Sequence, residues 1–283
     1  MWNRKGHVIV VGAKGYLAEL ENGKVRHLCS GTNENLRALS VNQSSGSILI
    51  VGNAGTVLLL SEDGQVTKLA SPTFENLRAV AWDPSGSIAL VAGNNGTLMR
   101  YSSNRFELID GARANLRDVS WRPGSDAALV TSNCFVGEFV PSPNLFTYNA
   151  NQNELSPVNE GRADLIGVDW ESDGKRALVV GYDVVWHNGV IAEFDGQAFT
   201  PVFFENKRVY PTAVKWNPLG SEAAIVTATS DLGMGVGRIC FWDKGELREI
   251  YGNERFFFSD VAWAPERHPV AAVASTDTRA FNA

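Results

Sequence analysis

The chain has little with which to hold a metal, close a disulfide or cross a membrane. It carries 4 histidines, His7, His27, His187 and His268, and 3 cysteines, Cys29, Cys134 and Cys240. No two histidines stand at metal-ligand spacing, so no metal centre is expected from them. The cysteines are odd in number, far apart and lack a Cys-x-x-Cys pair. This argues against a disulfide framework or a structural zinc, and the three read as buried thiols in a reducing compartment. No apolar stretch approaches the length of a membrane span, and the run Val8-Ile9-Val10-Val11 is too short for a secretory signal, so a cytoplasmic protein without membrane contact is expected. An excess of positive charge is missing too. Lys plus Arg is 25 against Asp plus Glu 31, a net charge of -6 that repels a phosphate backbone and disfavours nucleic acid as a partner. A helical 3.6-residue period is absent from every long window, which disfavours helices between strands and with them a parallel sheet.

What the sequence does have is a repeat, and enough apolar residues to bury it: 44% are hydrophobic and 20% charged, which excludes a disordered chain. The segment Leu77 to Val91 recurs as Leu116 to Val130, as Leu165 to Val179, as Pro211 to Ile225 and in part as Phe258 to Val273. A Val-x-Trp core marks all of them: Val80/Trp82, Val119/Trp121, Val168/Trp170, Val214/Trp216 and Val261/Trp263. An earlier copy keeps Val41 in the tryptophan position, and Trp2 followed by Gly6 reads as the remnant of another. The anchors recur every 39 to 49 residues, a period that suits four short strands joined by tight turns. Within a repeat, strand a carries Val-x-Trp, and a turn such as Asp83-Pro84-Ser85-Gly86 leads to the apolar strand b. The glycine turn Gly93-Asn94-Asn95-Gly96 leads to strand c, and a polar connection to strand d. Strands apolar on both faces fit blades packed between neighbouring blades.

Trp-Asp-Pro-Ser-Gly-Ser, an apolar strand, Gly-Asn-Asn-Gly-Thr and a further strand together resemble the WD40 and YVTN-type propeller repeats over nearly the whole chain. The resemblance implies an all-β propeller of four-stranded antiparallel blades, here a single domain over residues 1–283. The chain departs from the family in having no Gly-His dipeptide and only one Trp-Asp closing a strand c, Phe241-Trp242-Asp243. The family's histidine-centred hydrogen-bond network is therefore not expected. Seven anchors favour seven blades over six, with incomplete terminal blades; an open edge would suit either a monomer or a dimer that completes the ring.

In such propellers the d-to-a and b-to-c loops gather around the central channel on the face that carries binding. Three consecutive repeats open strand a with Asn-Leu-Arg: Asn35-Leu36-Arg37, Asn76-Leu77-Arg78 and Asn115-Leu116-Arg117. Adjacent blades would set Arg37, Arg78 and Arg117 along an arc able to bind an anion, unless each arginine pairs with Glu34, Glu75 or a backbone carbonyl. The stretches Gly181 to Gly189, with Trp186 and His187, and Thr227 to Gly237, with Met234, read as long b-to-c loops whose side chains are typical interface anchors. Residues Pro141 to Pro157 read as an inserted surface loop. These residues point to a non-catalytic scaffold that presents one face to a protein partner and uses no cofactor. The alternative is a propeller hydrolase or lyase, lactonase-like, acting on a small anionic substrate with a channel metal held by carboxylates such as Glu34, Glu75, Asp118, Asp164 or Asp260. No triad-like arrangement supports catalysis, and the glycine-rich turns are not phosphate cradles because no helix follows them.

Overall fold

A computed structural model describes residues 1–134, 141–207, 209–231, 234–253, 256–264 and 271–277; at 203–207, 229–231, 234–236, 253, 256 and 271–277 it describes the backbone alone. Apart from one 3-10 turn, Ala13–Gly15, the described residues fold entirely as strands and connections, 25 strands in seven sheets, each sheet running in sequence order. The first sheet has three strands: β1 (Val8–Val11), β2 (Leu17–Glu21) and β3 (Lys24–His27). Five four-stranded sheets follow. They are β4 (Leu36–Val41), β5 (Ile48–Gly52), β6 (Val57–Leu60) and β7 (Val66–Leu69); then β8 (Leu77–Trp82), β9 (Ala89–Gly93), β10 (Leu98–Ser102) and β11 (Arg105–Ile109). Next come β12 (Leu116–Trp121), β13 (Ala127–Ser132), β14 (Ser142–Asn149) and β15 (Glu154–Gly161), and after them β16 (Ala163–Trp170), β17 (Ala177–Asp183), β18 (Asn188–Phe194) and β19 (Phe199–Lys207). The fifth holds β20 (Val209–Trp216), β21 (Ala223–Asp231), β22 (Met234–Asp243) and β23 (Glu246–Asn253); a two-stranded sheet, β24 (Phe256–Trp263) and β25 (Ala271–Asp277), ends the series.

The expectation of seven blades is corrected to six. Of the seven anchors, six lie in a strand a, namely β4, β8, β12, β16, β20 and β24, whereas Trp2 makes only an isolated bridge to Val8. The first anchor was an overcount, because a bridge of one residue pair does not make a strand. Residues Pro141 to Pro157 are not a loop either. They supply strands c and d of their sheet, β14 and β15, joined by a turn in which the Asn149 side chain accepts from the amides of Asn151 and Gln152. Leu145, Phe146 and Tyr148 are buried there, and Pro157 falls in the outer strand, where a missing donor is tolerated.

By packing, the chain divides into two compact units. The first comprises Met1–Trp121, Asp126–Val130 and Thr147–Ser156; the second comprises Arg122–Ser125, Thr131–Phe146 and Pro157–Ala283. In the first unit the two-residue period of a strand explains why β5 is buried throughout. Ile48 and Ile50 join a cluster with Ile9 and Leu17 on one side, while Leu49 and Val51 join Leu77, Val91 and Met99 on the other. The second unit repeats the scheme with Leu178, Val180, Ile191, Trp216 and Trp242.

The Val-x-Trp anchors stitch neighbouring sheets together. The indole Nε1 of Trp121 donates to the carbonyl of Ala81, the residue before Trp82, at 3.0 Å; that of Trp263 donates to the carbonyl of Lys215, the residue before Trp216, at 2.7 Å. Trp82 and Trp216 use the main chain instead. Their amides donate to Ser40 Oγ (3.0 Å) and Asp169 Oδ2 (2.8 Å), while among the described residues their buried Nε1 atoms have no partner.

Candidate functional site

The Asn-Leu-Arg motif is a local device with a separate task for each residue. Asn accepts: Oδ1 of Asn35, Asn76 and Asn115 takes the amide of Lys14, Ala54 and Asn95, in each case from the b-to-c turn of the preceding sheet. Leu is core, with Leu77 and Leu116 wholly buried and Leu36 nearly so. Arg occupies a β-bulge. In the pairing of β4 with β5, Leu36 faces Gly52 and Ala38 faces Val51, so Arg37 is the extra residue; in β8 with β9 the shift falls between Leu77 and Ala79, leaving Arg78 in the same place. A bulge releases a side chain from the in-and-out alternation and re-aims it, here toward the edge where the b-to-c turns lie.

Those turns are built to receive it. Asn53, Ala54, Gly55 and Thr56 make a two-residue hairpin turn with φ of 50° at Ala54 and 64° at Gly55, closed by the Thr56 amide on the Asn53 carbonyl at 3.0 Å. A Cβ at Gly55 would lie 1.9 Å from the Thr73 carbonyl oxygen, so only glycine lets the neighbouring loop approach. Asn53 Oδ1 accepts Arg37 Nε at 3.0 Å, and Asn94 Oδ1 accepts Arg78 Nε at 3.0 Å. Asn133 stands the same sixteen residues after Arg117 in the sequence, and its Oδ1 is buried and, among the described residues, has no partner. The alternative in which the arginines pair with Glu34 or Glu75 does not match the hydrogen bonds. Glu75 accepts from Asn95 Nδ2 at 2.8 Å, and among the described residues no carboxylate forms an ion pair with Arg37, Arg78 or Arg117. Burial, then the like charges of Arg117 and Arg37, push the pKa of Arg78 down.

Sequence reasoning missed Phe74. It is 92% exposed on the loop ahead of Arg78, and that loop is pinned. Ser71 Oγ donates to the Thr73 carbonyl, the Glu75 amide donates to Thr73 Oγ1, and the Gly55 amide donates to the Glu75 carbonyl. The signal was in the repeat itself: the matching position is Asn33 in one loop and Arg113 in another, so an aromatic there departs from a polar pattern.

The remaining candidates belong to the second unit. Trp186 is 71% exposed on a four-residue turn organised by Asp183, whose Oδ1 accepts the amides of Val185 and Trp186; His187 follows with φ of 54°. The supposed loop from 227 to 237 is mostly strand, because β21 and β22 extend as a hairpin to the pair Asp231 and Met234. Met234 therefore sits in a strand, and its side chain lies outside the described residues.

Asp164, where the Asn-Leu-Arg pattern becomes Asp-Leu-Ile, repeats the asparagine's task with a carboxylate. It is buried; Oδ1 accepts the Cys134 amide at 2.8 Å and the Cys134 thiol at 3.2 Å, and Oδ2 accepts Tyr182 OH at 2.9 Å. Burial first, then Asp164, pushes the Cys134 thiol up to about 12, and burial pushes Cys240 up to about 11. Thiols that stay protonated until the pH nears those values are poor nucleophiles. Treatment with iodoacetamide at pH 8 is expected to alkylate exposed Cys29 at least about a hundredfold faster than Cys134, as followed by peptide mass mapping. Equal rates would show that Cys134 is neither buried nor held by Asp164.

Among the described residues no group of three His, Cys, Asp or Glu side chains could hold a metal ion, and no helix is long and apolar enough to cross a membrane. A cavity of about 60 Å³ in the first unit, lined by Asn3, Lys5, Glu19, Arg26 and Glu62, is spanned by its own charge pairs: His7 Nδ1 lies 2.8 Å from Glu19, and Arg26 also binds Glu19.

Comparison with known proteins places the fold. No family model matches the chain, and no curated protein does. Among solved structures, the β-propeller domain of Myceliophteria thermophila Cps50 (Swd1) superposes with a TM-score of 0.73 at 14% identity, covering 98% of this chain and 92% of that one. Kuenenia stuttgartiensis hydrazine synthase follows at 0.65 and 13%, covering 81% and 70%, and a chain of a mitotic checkpoint complex at 0.63 and 19%, covering 81% and 69%. The fold is a β-propeller of four-stranded antiparallel blades. At these identities the likeness establishes fold alone, and its neighbours include both an enzyme and a component of a protein complex.

Proposed function

We propose that the protein is a non-catalytic, cytoplasmic interaction scaffold that binds a protein partner through the edge formed by Arg37, Arg78, Arg117 and Phe74. The observation that carries this reading is the repeated bulge. In the second unit the same bulge position holds Ile166, Thr212 and Ser259, none of them a cation, and the Thr212 hydroxyl is spent internally on the carbonyls of Val226 (3.2 Å) and Phe258 (2.7 Å). In the first unit it holds Arg37 and Arg78, which bind asparagine through Nε alone, so their terminal amino groups have no partner among the described residues. Free thiols at Cys29, Cys134 and Cys240 support a reducing compartment, and the net charge of -6 speaks against nucleic acid. Trp186 is a candidate for a second contact, as an exposed aromatic on an ordered turn.

Four of the five carboxylates named for the catalytic alternative have internal hydrogen bonds. Of the carboxylates it would use, Asp164 is engaged by Cys134 and Tyr182, Glu75 by Asn95, and Asp118 and Asp260 by the amides that follow them.

Exchange of Arg37, Arg78 and Arg117 for Glu tests the proposal. A partner captured by the wild-type chain and identified by mass spectrometry is expected to bind the triple variant at least about tenfold more weakly, with the circular dichroism spectrum and unfolding midpoint preserved. Unchanged affinity in a folded variant would defeat it.

A further inference from the structure

Resting on the reading of this edge as a protein-binding surface, we infer that its occupant is an extended acidic segment of polypeptide, with carboxylates about three residues apart meeting successive arginines and an apolar side chain packed on Phe74.

Charge comes first. The chain as a whole is acidic, yet one edge of the first unit sets Arg37, Arg78 and Arg117 on three consecutive strands a, with exposed Arg113 on the loop leading to the third. Arg78, half-buried, lies between the like charges of Arg117 and Arg37, which add to the cost of its own. Such repulsion is relieved by anions, and a guanidinium whose Nε is already bound presents its two terminal amino groups as a fork that takes one carboxylate end-on.

Spacing selects the kind of anion. Sheets packed face to face lie about 10 Å apart, so equivalent side chains on neighbouring sheets are separated by about that distance, far more than one phosphate group spans. A chain extended in the polyproline II conformation turns once every three residues and advances about 3.1 Å per residue, so acidic residues three apart share one face and keep step with the arginines. The b-to-c turns and the loop of Phe74 are held by hydrogen bonds before any ligand arrives, which limits the ordering cost of binding. Phe74 supplies what the arginines lack, an apolar contact of large area at low entropy cost.

The probe is a fluorescein-labelled twelve-residue peptide with glutamate at every third position and leucine among the intervening residues, titrated into the full chain and followed by anisotropy. An isomer of the same composition with its glutamates contiguous, and a lysine counterpart, serve as controls. The spaced peptide is expected to bind at least about fivefold more tightly than the contiguous isomer, and more weakly as salt rises from about 20 to about 150 mM. Arg78→Gln should weaken it about tenfold and Phe74→Ala about fivefold, each with an unchanged unfolding midpoint. Equal binding of the two isomers, no binding of either, or full displacement by millimolar inorganic phosphate would each overturn the inference. The triple glutamate variant separates this failure from that of the scaffold reading. If it loses its captured partner while no acidic peptide binds, the surface stands and the acidic occupant falls; if capture is unaffected, both fall.

Discussion

Asp164→Ala is expected to lower the unfolding free energy by about 3 kcal/mol, and Asp164→Asn by less than about 1 kcal/mol, in urea denaturation of the full chain. The difference follows from what the carboxylate does. It accepts the Cys134 amide and thiol through one oxygen and the Tyr182 hydroxyl through the other, in a place almost closed to water. Alanine leaves an amide and a phenol without acceptors, each at a cost of about 1–3 kcal/mol. Asparagine keeps an acceptor for the amide, as Asn35, Asn76 and Asn115 do at the matching positions. If Asn proved as damaging as Ala, the negative charge rather than the hydrogen bond would be the requirement, and the equivalence drawn across repeats would be wrong.

Trp121 offers the second large effect. Its ring is buried edge-on to Tyr148 at 5.9 Å, and its indole nitrogen ties β12 to the Ala81 carbonyl of β8. Trp121→Ala should cost about 3–5 kcal/mol through the cavity and the lost tie together, and Trp121→Phe, which keeps most of the ring, about 1–2 kcal/mol. A phenylalanine variant with wild-type stability would show that the indole bond contributes nothing net and that the tryptophans are retained for their volume.

The strand order, the b-to-c turns and the identity of the core were legible because they rest on local signals: Val-x-Trp, alternating apolar residues and Asn-Asn-Gly turns. Blade number was not, since it turned on whether two residues around Trp2 could hold a strand, and only the pairing with Val8 decides that. The stretch from 141 to 157 was misread because its prolines and asparagines are turn formers, whereas burial of Leu145, Phe146 and Tyr148 overrode them. Met234 was misplaced for a related reason: glycines at 233, 235 and 237 suggest a loop, yet backbone pairing runs through Gly237 and Gly235 as far as Met234. The arginine motif was legible as a repetition. That Arg37 and Arg78 are bulge residues, each held by an asparagine sixteen positions later, was not, because a register shift leaves no mark in composition.

The bulge gives each strand a that carries it one socket. At the pairings where its place is fixed, the extra residue is Arg37, Arg78, Ile166, Thr212 and Ser259: cation, alkyl group and hydroxyl on the same backbone. Because that residue stands outside the ladder of paired residues, its identity can drift while the leucines and valines beside it stay fixed. If the proposed reading holds, recognition and foldability are thereby written at different positions, and a new specificity could be set into this fold one strand at a time without rebuilding its core.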